Sequence, residues 1–171
     1  YLPAFCAYDG YILSHTLMPV QVEDIEKVDQ FLPPLKHHIN LTDFEHVKGV
    51  GPVTLPDPPD RGEYGYAPGY FEFRFSMQRS LEHSLSVIKQ AHKEFSEIFG
   101  RSYGNGVYKT YKMEDAEVAI FAVMSVAAES RLAVDFLREK GIKVGLVSLK
   151  VFRPFPSEDL REIFKDISNV V

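Results

Sequence analysis

The sequence has one cysteine, Cys6, in 171 residues. One thiol cannot close an internal disulfide, complete a zinc site or hold an iron–sulfur cluster. A reducing compartment, the cytoplasm, is therefore expected. No apolar run approaches the ~20 residues of a membrane span. Positive charge is not in excess either. Lys and Arg number 19 against 24 Asp and Glu, for a net charge of −5, and the cations do not cluster. That excludes nucleic acid as an expected partner. The opening Tyr1-Leu2-Pro3 lacks the basic and apolar regions of a signal peptide. The closing Asn169-Val170-Val171 reads as a strand cut at its start. Both ends read as the interior of a longer protein, and such a piece need not contain a whole active site.

What remains is ordinary globular composition, 45% hydrophobic and 25% charged, at a length that suits about one domain. Residues 1–20 read as a short buried strand, Leu2 to Ala7, running into a turn at Asp9-Gly10. Val22, Ile25, Val28 and Leu32 fall on one helical face, with Glu23, Asp24 and Glu26 in the first turn. Pro33-Pro34 ends that helix. Seven of the 11 prolines then lie between Pro33 and Pro68, amid Tyr64, Tyr66, Tyr70, Phe71, Phe73 and Phe75. Prolines forbid regular pairing and rings need burial, so an ordered strap lying over another surface is expected up to residue 75.

The clearest helix spans 76–99. Met77, Leu81, Leu85, Ile88, Phe95 and Ile98 step by three and four, Ala91 and His92 fill the remaining turn, Ser76 is the expected N-cap and Gly100 the C′ residue. From Asp115 the order is strand, helix, strand, helix, strand. Ala116 to Val123 is a nearly continuous apolar run, as a strand covered on both faces requires. Helix 127–140 is expected to turn Leu132, Ala133, Phe136 and Leu137 inward. Lys143–Val151 is the second strand, broken by Arg153-Pro154-Phe155-Pro156. Ser157 caps helix 158–166, with Leu160, Ile163 and Phe164 inward, and Asn169 opens the third strand. This alternation predicts an α/β fold with a parallel sheet and flanking helices.

Few residues read as chemistry. The first strand–helix junction, Val123-Met124-Ser125-Val126, has no glycine, so neither a P-loop nor a dinucleotide fingerprint is present. Ser125 is a capping serine, or else aims its hydroxyl and amides at an anion. Gly100-Arg101-Ser102-Tyr103-Gly104-Asn105-Gly106 has the residues of an anion nest. It follows a helix C-terminus, where the dipole disfavours phosphate, so a C-cap and turn is the default. His37, His38 and His46 lie in proline-rich loop without the carboxylate spacing of a metallohydrolase, and no metal site is expected. His83 and His92, nine apart, do not share a helix face well and read as surface or packing residues. Asp9, Ser14 and His15 contain the groups of a catalytic triad. Adjacent side chains on one strand point apart, however, so a turn anchored by Asp9 is expected instead. Cys6, between Phe5 and Ala7, reads as a buried, inert thiol.

Five phrases in order carry a resemblance: Asp9-Gly10-Tyr11-Ile12-Leu13-Ser14-His15, Val28-Asp29-Gln30-Phe31-Leu32-Pro33-Pro34, Phe99-Gly100-Arg101-Ser102-Tyr103, Gly141-Ile142-Lys143-Val144-Gly145-Leu146 and Arg153-Pro154-Phe155-Pro156. Together they resemble the alpha subunit of pyruvate:ferredoxin oxidoreductase (pyruvate synthase) and its 2-oxoacid:ferredoxin oxidoreductase relatives, over essentially the whole chain. The resemblance implies three parts: 1–20 as the end of a domain binding the pyrimidine of thiamine, 21–75 as connecting helix and strap, and 76–171 as a truncated domain similar to the transketolase C-terminal domain. It implies oxidative decarboxylation of pyruvate with coenzyme A, giving acetyl-CoA and carbon dioxide and reducing ferredoxin. Thiamine diphosphate and magnesium serve the holoenzyme, and iron–sulfur clusters sit on beta-, gamma- and delta-type partner subunits, with no cofactor on this segment alone. Relatives tend to have Gly-Ser where this chain has Met124-Ser125, which puts a ligand role for that turn in doubt. No catalytic residue transfers. Asp9, Ser14 and His15 are the candidates for an interface or for supporting the site from behind, and Arg153 for an ion pair that fixes the second domain or a neighbour. The competing readings are another 2-oxoacid oxidoreductase, a transketolase-like or dehydrogenase beta-type thiamine enzyme, and a non-catalytic interaction domain.

Overall fold

A computed structural model describes residues 2–32 and 70–171. The strap, with its prolines and with His37, His38 and His46, lies outside the described residues except for its last turn. The chain order is α1 (Ile12–His15), α2 (Ile25–Phe31), α3 (Tyr70–Phe99), β1 (Tyr108–Tyr111), β2 (Val118–Val123), α4 (Met124–Glu139), β3 (Val144–Leu149), α5 (Ser157–Phe164) and β4 (Asn169–Val170).

The sheet runs β1-β3-β2-β4. β2 pairs in parallel with β3, from Val118 opposite Val144 to Val123 opposite Leu149, and with β4 through Val118 and Ala119. That is the strand–helix–strand–helix–strand order expected from Asp115 onward. The short β1 adds an antiparallel edge, Tyr108 facing Leu149 and Tyr111 facing Leu146. β3 is thus central, and Val144, Gly145, Leu146, Val147 and Leu149 are buried. Val134, Val144 and Leu146 form a buried core cluster, with Tyr111, Val118, Ile120, Ala122 and Leu137 packed around them.

α3 buries the expected stripe: Met77, Leu81, Leu85, Ile88, Ala91, His92, Phe95 and Ile98 are all partly covered. It ends at Gly100, whose φ of +69° suits the residue that stops a helix. It starts at Tyr70, so Ser76 lies inside the helix and is no cap; six further helix-compatible residues, Tyr70 to Phe75, continue the same backbone. Phe71 and Phe75 are exposed rather than covered. α5 also begins one residue early, so Ser157 is its first helical residue and makes no capping bond. Its inward residues are as expected, with Leu160 buried and Phe164 edge-on to Phe121.

Three other expectations fail. Residues 2–11 form no strand, and Cys6 is exposed. The segment pairs with no described strand, and no described residue covers the thiol. On α2, Val22, Ile25 and Leu32 are exposed, and the docked side is Val28 and Phe31. Phe31 meets Phe95 and Phe99 edge-on at 5.6 and 5.9 Å. A helix of two turns follows its one large anchored ring. On α4 the inward residues are Ala127, Ser130, Val134 and Leu137, while Leu132, Ala133 and Phe136 face outward. The smaller side chains let the helix axis approach the sheet closely.

Candidate functional site

In open α/β sheets, ligands gather where strands end at their carboxyl edge. Here that edge is formed by Val123 of β2 and Leu149 of β3. β2 passes directly into α4 through Met124, whose φ of +51° lies in the left-handed region that disfavours a side chain. The turn has the geometry a glycine would adopt freely, yet it carries a methionine. A cleft of about 450 Å³ opens beside it, lined by Ala7, Val123, Met124, Ser148, Leu149, Lys150 and Phe152. Its walls are largely apolar.

The first amides of a helix have no intrahelical acceptor and favour a negative partner. Val123 stands at the N-cap position and offers no side-chain bond. Ser125 does not cap either, because it already lies in the helix. Its backbone N–H instead donates to Oδ2 of Asp9 at 2.8 Å, across 116 residues. Asp9 thus supplies the anion, and the Asp9-Gly10 turn is anchored to the second half of the chain.

Ser14 and His15 do meet: Ser14 Oγ and His15 Nδ1 are 2.6 Å apart. The expectation that neighbours point apart rested on a strand. Residues 12–15 form a helical turn, where successive side chains diverge by ~100° rather than opposing. Tyr11 stacks on His15 at 5.7 Å. Asp9 bonds Ser125 and makes no bond to His15, so the three groups do not form a triad. Arg153 is exposed and makes no ion pair with a described residue.

The Gly100–Gly106 segment is a turn. Asn105 Oδ1 accepts from the N–H groups of Val107 and Tyr108 at 3.0 and 2.9 Å, and the Asn105 backbone N–H donates to the Tyr108 carbonyl. Arg101 is taken up by Glu23 and lies over the rings of Phe95 and Phe99. The guanidinium therefore ties α2 to α3 rather than waiting for phosphate. His92 Nε2 accepts the Tyr103 N–H at 3.1 Å, a packing role. His83 is exposed and borders an open cavity of about 690 Å³ with Leu2, Arg79 and Ser84.

Arg138 donates to the carbonyls of Val144 and Lys112 at 2.8 and 2.7 Å and pairs with Asp115 at 2.7 Å. That guanidinium holds the Asp115 carboxyl below its ordinary value. Asp135 accepts from Lys112 Nζ at 2.5 Å and Tyr111 Oη at 2.7 Å, which lower its carboxyl in the same way. Lys150 is the exception. Burial, and then the neighbouring Lys109, push its ammonium below the usual lysine value. It bonds the Tyr103 carbonyl and lies 5.3 Å from that ring's centre. Sequence reasoning missed both Lys150 and the Asp9–Ser125 bond, and no local pattern announces either.

Residues 116–171, from two residues before β2 to the chain's last residue, match pyruvate:ferredoxin oxidoreductase core domain II. The chain is 37% identical over 169 residues to pyruvate synthase subunit PorA of Methanothermobacter thermautotrophicus, covering 99% of this chain and 40% of that protein. It is 38% identical over 170 residues to the PorA of Thermotoga maritima, with the same coverage of 99% and 40%. Ketoisovalerate oxidoreductase subunit VorA of Pyrococcus horikoshii is 38% identical over 169 residues, again covering 99% and 40%. A solved 2-oxoglutarate:ferredoxin oxidoreductase of Magnetococcus marinus superposes over 64% of this chain and 17% of its own. The TM-score is 0.38 and the identity 24%, too loose a fit to place a ligand. The chain spans about 40% of the length of the curated relatives it matches. Its C-terminal third thus matches a pyruvate:ferredoxin oxidoreductase domain, and nearly the whole chain is similar to subunits of 2-oxoacid:ferredoxin oxidoreductases.

Proposed function

We propose that the chain is part of an alpha-type subunit of an enzyme that oxidatively decarboxylates pyruvate with coenzyme A, passing the electrons to ferredoxin. Identity of 37–38% along nearly the whole chain to relatives named pyruvate synthase subunits carries the reading. Within that subunit, 1–20 ends the first, pyrimidine-binding domain, 21–75 connects, and 76–171 forms the transketolase C-terminal-like domain. Beta-, gamma- and delta-type subunits complete the complex. The chain's own share is scaffold and subunit interface, with Asp9, Ser14, His15 and Arg153 as its functional contacts. The complex is placed in the cytoplasm on the scarcity of cysteine; among the described residues, no helix is long and apolar enough to cross a membrane.

The described residues do not fit the family's cofactors. Thiamine diphosphate with magnesium needs an anion-cradling turn and convergent oxygen ligands. Here the Asp9 carboxylate already occupies the α4 amide, and Met124 fills the turn beside it. No three His, Cys, Asp or Glu side chains group together among the described residues. A lone Cys6 cannot ligate a cluster. We assign both groups to other parts of the complex.

Relatives named for ketoisovalerate match as well as those named for pyruvate. A branched-chain oxoacid is accordingly the second reading for the substrate. The proposal is tested by tagging the full-length parent and purifying it anaerobically from its own cells. Co-purifying chains that bring iron, acid-labile sulfide and thiamine diphosphate are expected. A parent that emerges alone, without iron or thiamine, contradicts the reading.

A further inference from the structure

We infer that Asp9 is a positioning residue: its carboxylate latches the Asp9–His15 segment to the start of α4, and through it sets the Ser14–His15 pair for turnover. The inference rests on the proposed oxidoreductase reading for its functional arm alone.

Three observations meet at this point. The Asp9 Oδ2 to Ser125 N–H bond joins residues 116 apart. It lands on a helix amide that no intrahelical carbonyl serves. Two residues earlier, Ala7 lines the cleft together with Val123, Met124, Ser148, Leu149, Lys150 and Phe152. The segment is thus fixed at Asp9 to the carboxyl edge of β2, with Ala7 standing beside the cleft. The acceptor matters because little else among the described residues fixes the segment. Phe5, Tyr8 and Tyr11 are exposed, and residues 2–9 pair with no described strand. Ser14 and His15 follow the latch within six residues, bonded to each other and with His15 stacked on Tyr11. Asp9 does not reach that pair, so its effect passes through the backbone it anchors. The backbone at Met124 is the other half of the device. Its φ of +51° costs energy in a non-glycine residue, and the Ser125 amide it presents is the one that Asp9 accepts.

The test uses the full-length parent in its complex, with Asp9→Ala and Asp9→Asn compared with the wild type. The first readout is amide hydrogen exchange. Asp9→Ala is expected to speed exchange at Ser125 about fivefold while the amides of Val144–Leu149 stay protected, a fivefold change being within the ~1 kcal/mol typical of a lost cap. Asp9→Asn keeps an acceptor oxygen and is expected to lie between the two, with the salt dependence of the bond removed. The second readout is steady-state dye reduction by a 2-oxoacid. kcat is expected to fall in Asp9→Ala and to recover partly in Asp9→Asn, with KM for coenzyme A unchanged. Unchanged exchange at Ser125 in Asp9→Ala overturns the latch. Faster exchange with wild-type kcat overturns the positioning role and leaves a structural cap. A wild-type complex that reduces nothing refutes the oxidoreductase reading, whereas the exchange readout still decides the latch.

Discussion

Gly145 gives the sharpest stability prediction. It sits within β3, opposite Ala119 of β2. A Cβ added there would run into the Met113 sulfur, stand 2.7 Å from the Lys112 carbonyl oxygen and 3.1 Å from Ala116 Cβ. The sulfur ends a flexible side chain and can swing away. The carbonyl cannot, because Arg138 donates to it at 2.7 Å and Lys112 itself has φ of +51°. Overpacking of this kind costs up to about 3 kcal/mol. Replacing glycine by alanine elsewhere in a strand gains roughly 0.7 kcal/mol in backbone entropy. Gly145→Ala is therefore expected to lose about 2 kcal/mol net. With a urea slope of about 2 kcal/mol/M, the unfolding midpoint falls by about 1 M. Circular dichroism through a urea titration reads it directly. Adding Met113→Ala should recover less than half of the loss, since the carbonyl remains. A midpoint unchanged or raised in Gly145→Ala refutes the packing argument.

Arg138→Ala strips partners from the Val144 and Lys112 carbonyls and from Asp115, and is expected to cost about 2–3 kcal/mol by the same titration. Asp115 and Asp135 are both held below their ordinary carboxyl values, so they contribute stability that is present above the unfolded value of about 4 and lost as pH falls through the lower folded value. Asp135→Asn should flatten the drop of Tm with acidification below pH 4, and an unchanged slope contradicts the pairing with Lys112 and Tyr111. Phe31→Ala removes the ring that meets Phe95 and Phe99, and should speed amide exchange in Ile25–Phe31 while leaving Val144–Leu149 protected.

Periodicity made the long elements legible. The stripe from Met77 to Ile98 spans many turns, and the run from Val118 to Val123 is apolar throughout, so chance patterns cannot imitate either. The α4 face was misread because size was taken for burial. Leu132 and Phe136 are larger than Ala127, Ser130 and Val134, yet close approach to a sheet selects the small side. β1 escaped notice because four residues, Tyr108-Lys109-Thr110-Tyr111, give too short an alternation to stand out beside a glycine-rich turn. The site was the least legible part. Asp9 was singled out from its turn, but its partner amide lies 116 residues away and belongs to backbone, which leaves no trace in residue type. The Ser14–His15 bond was dismissed because one local conformation, strand instead of helix, reversed the direction of the side chains.

The most direct test of the central claim is electron transfer by the intact parent complex. The anaerobically purified holoenzyme is supplied with thiamine diphosphate, magnesium, coenzyme A and a viologen dye, then offered pyruvate, 2-oxoisovalerate and 2-oxoglutarate in turn. Dye reduction that requires both an oxoacid and coenzyme A, and is fastest with pyruvate, is predicted. A complex with its iron and thiamine in place that reduces no dye with any oxoacid would contradict the account.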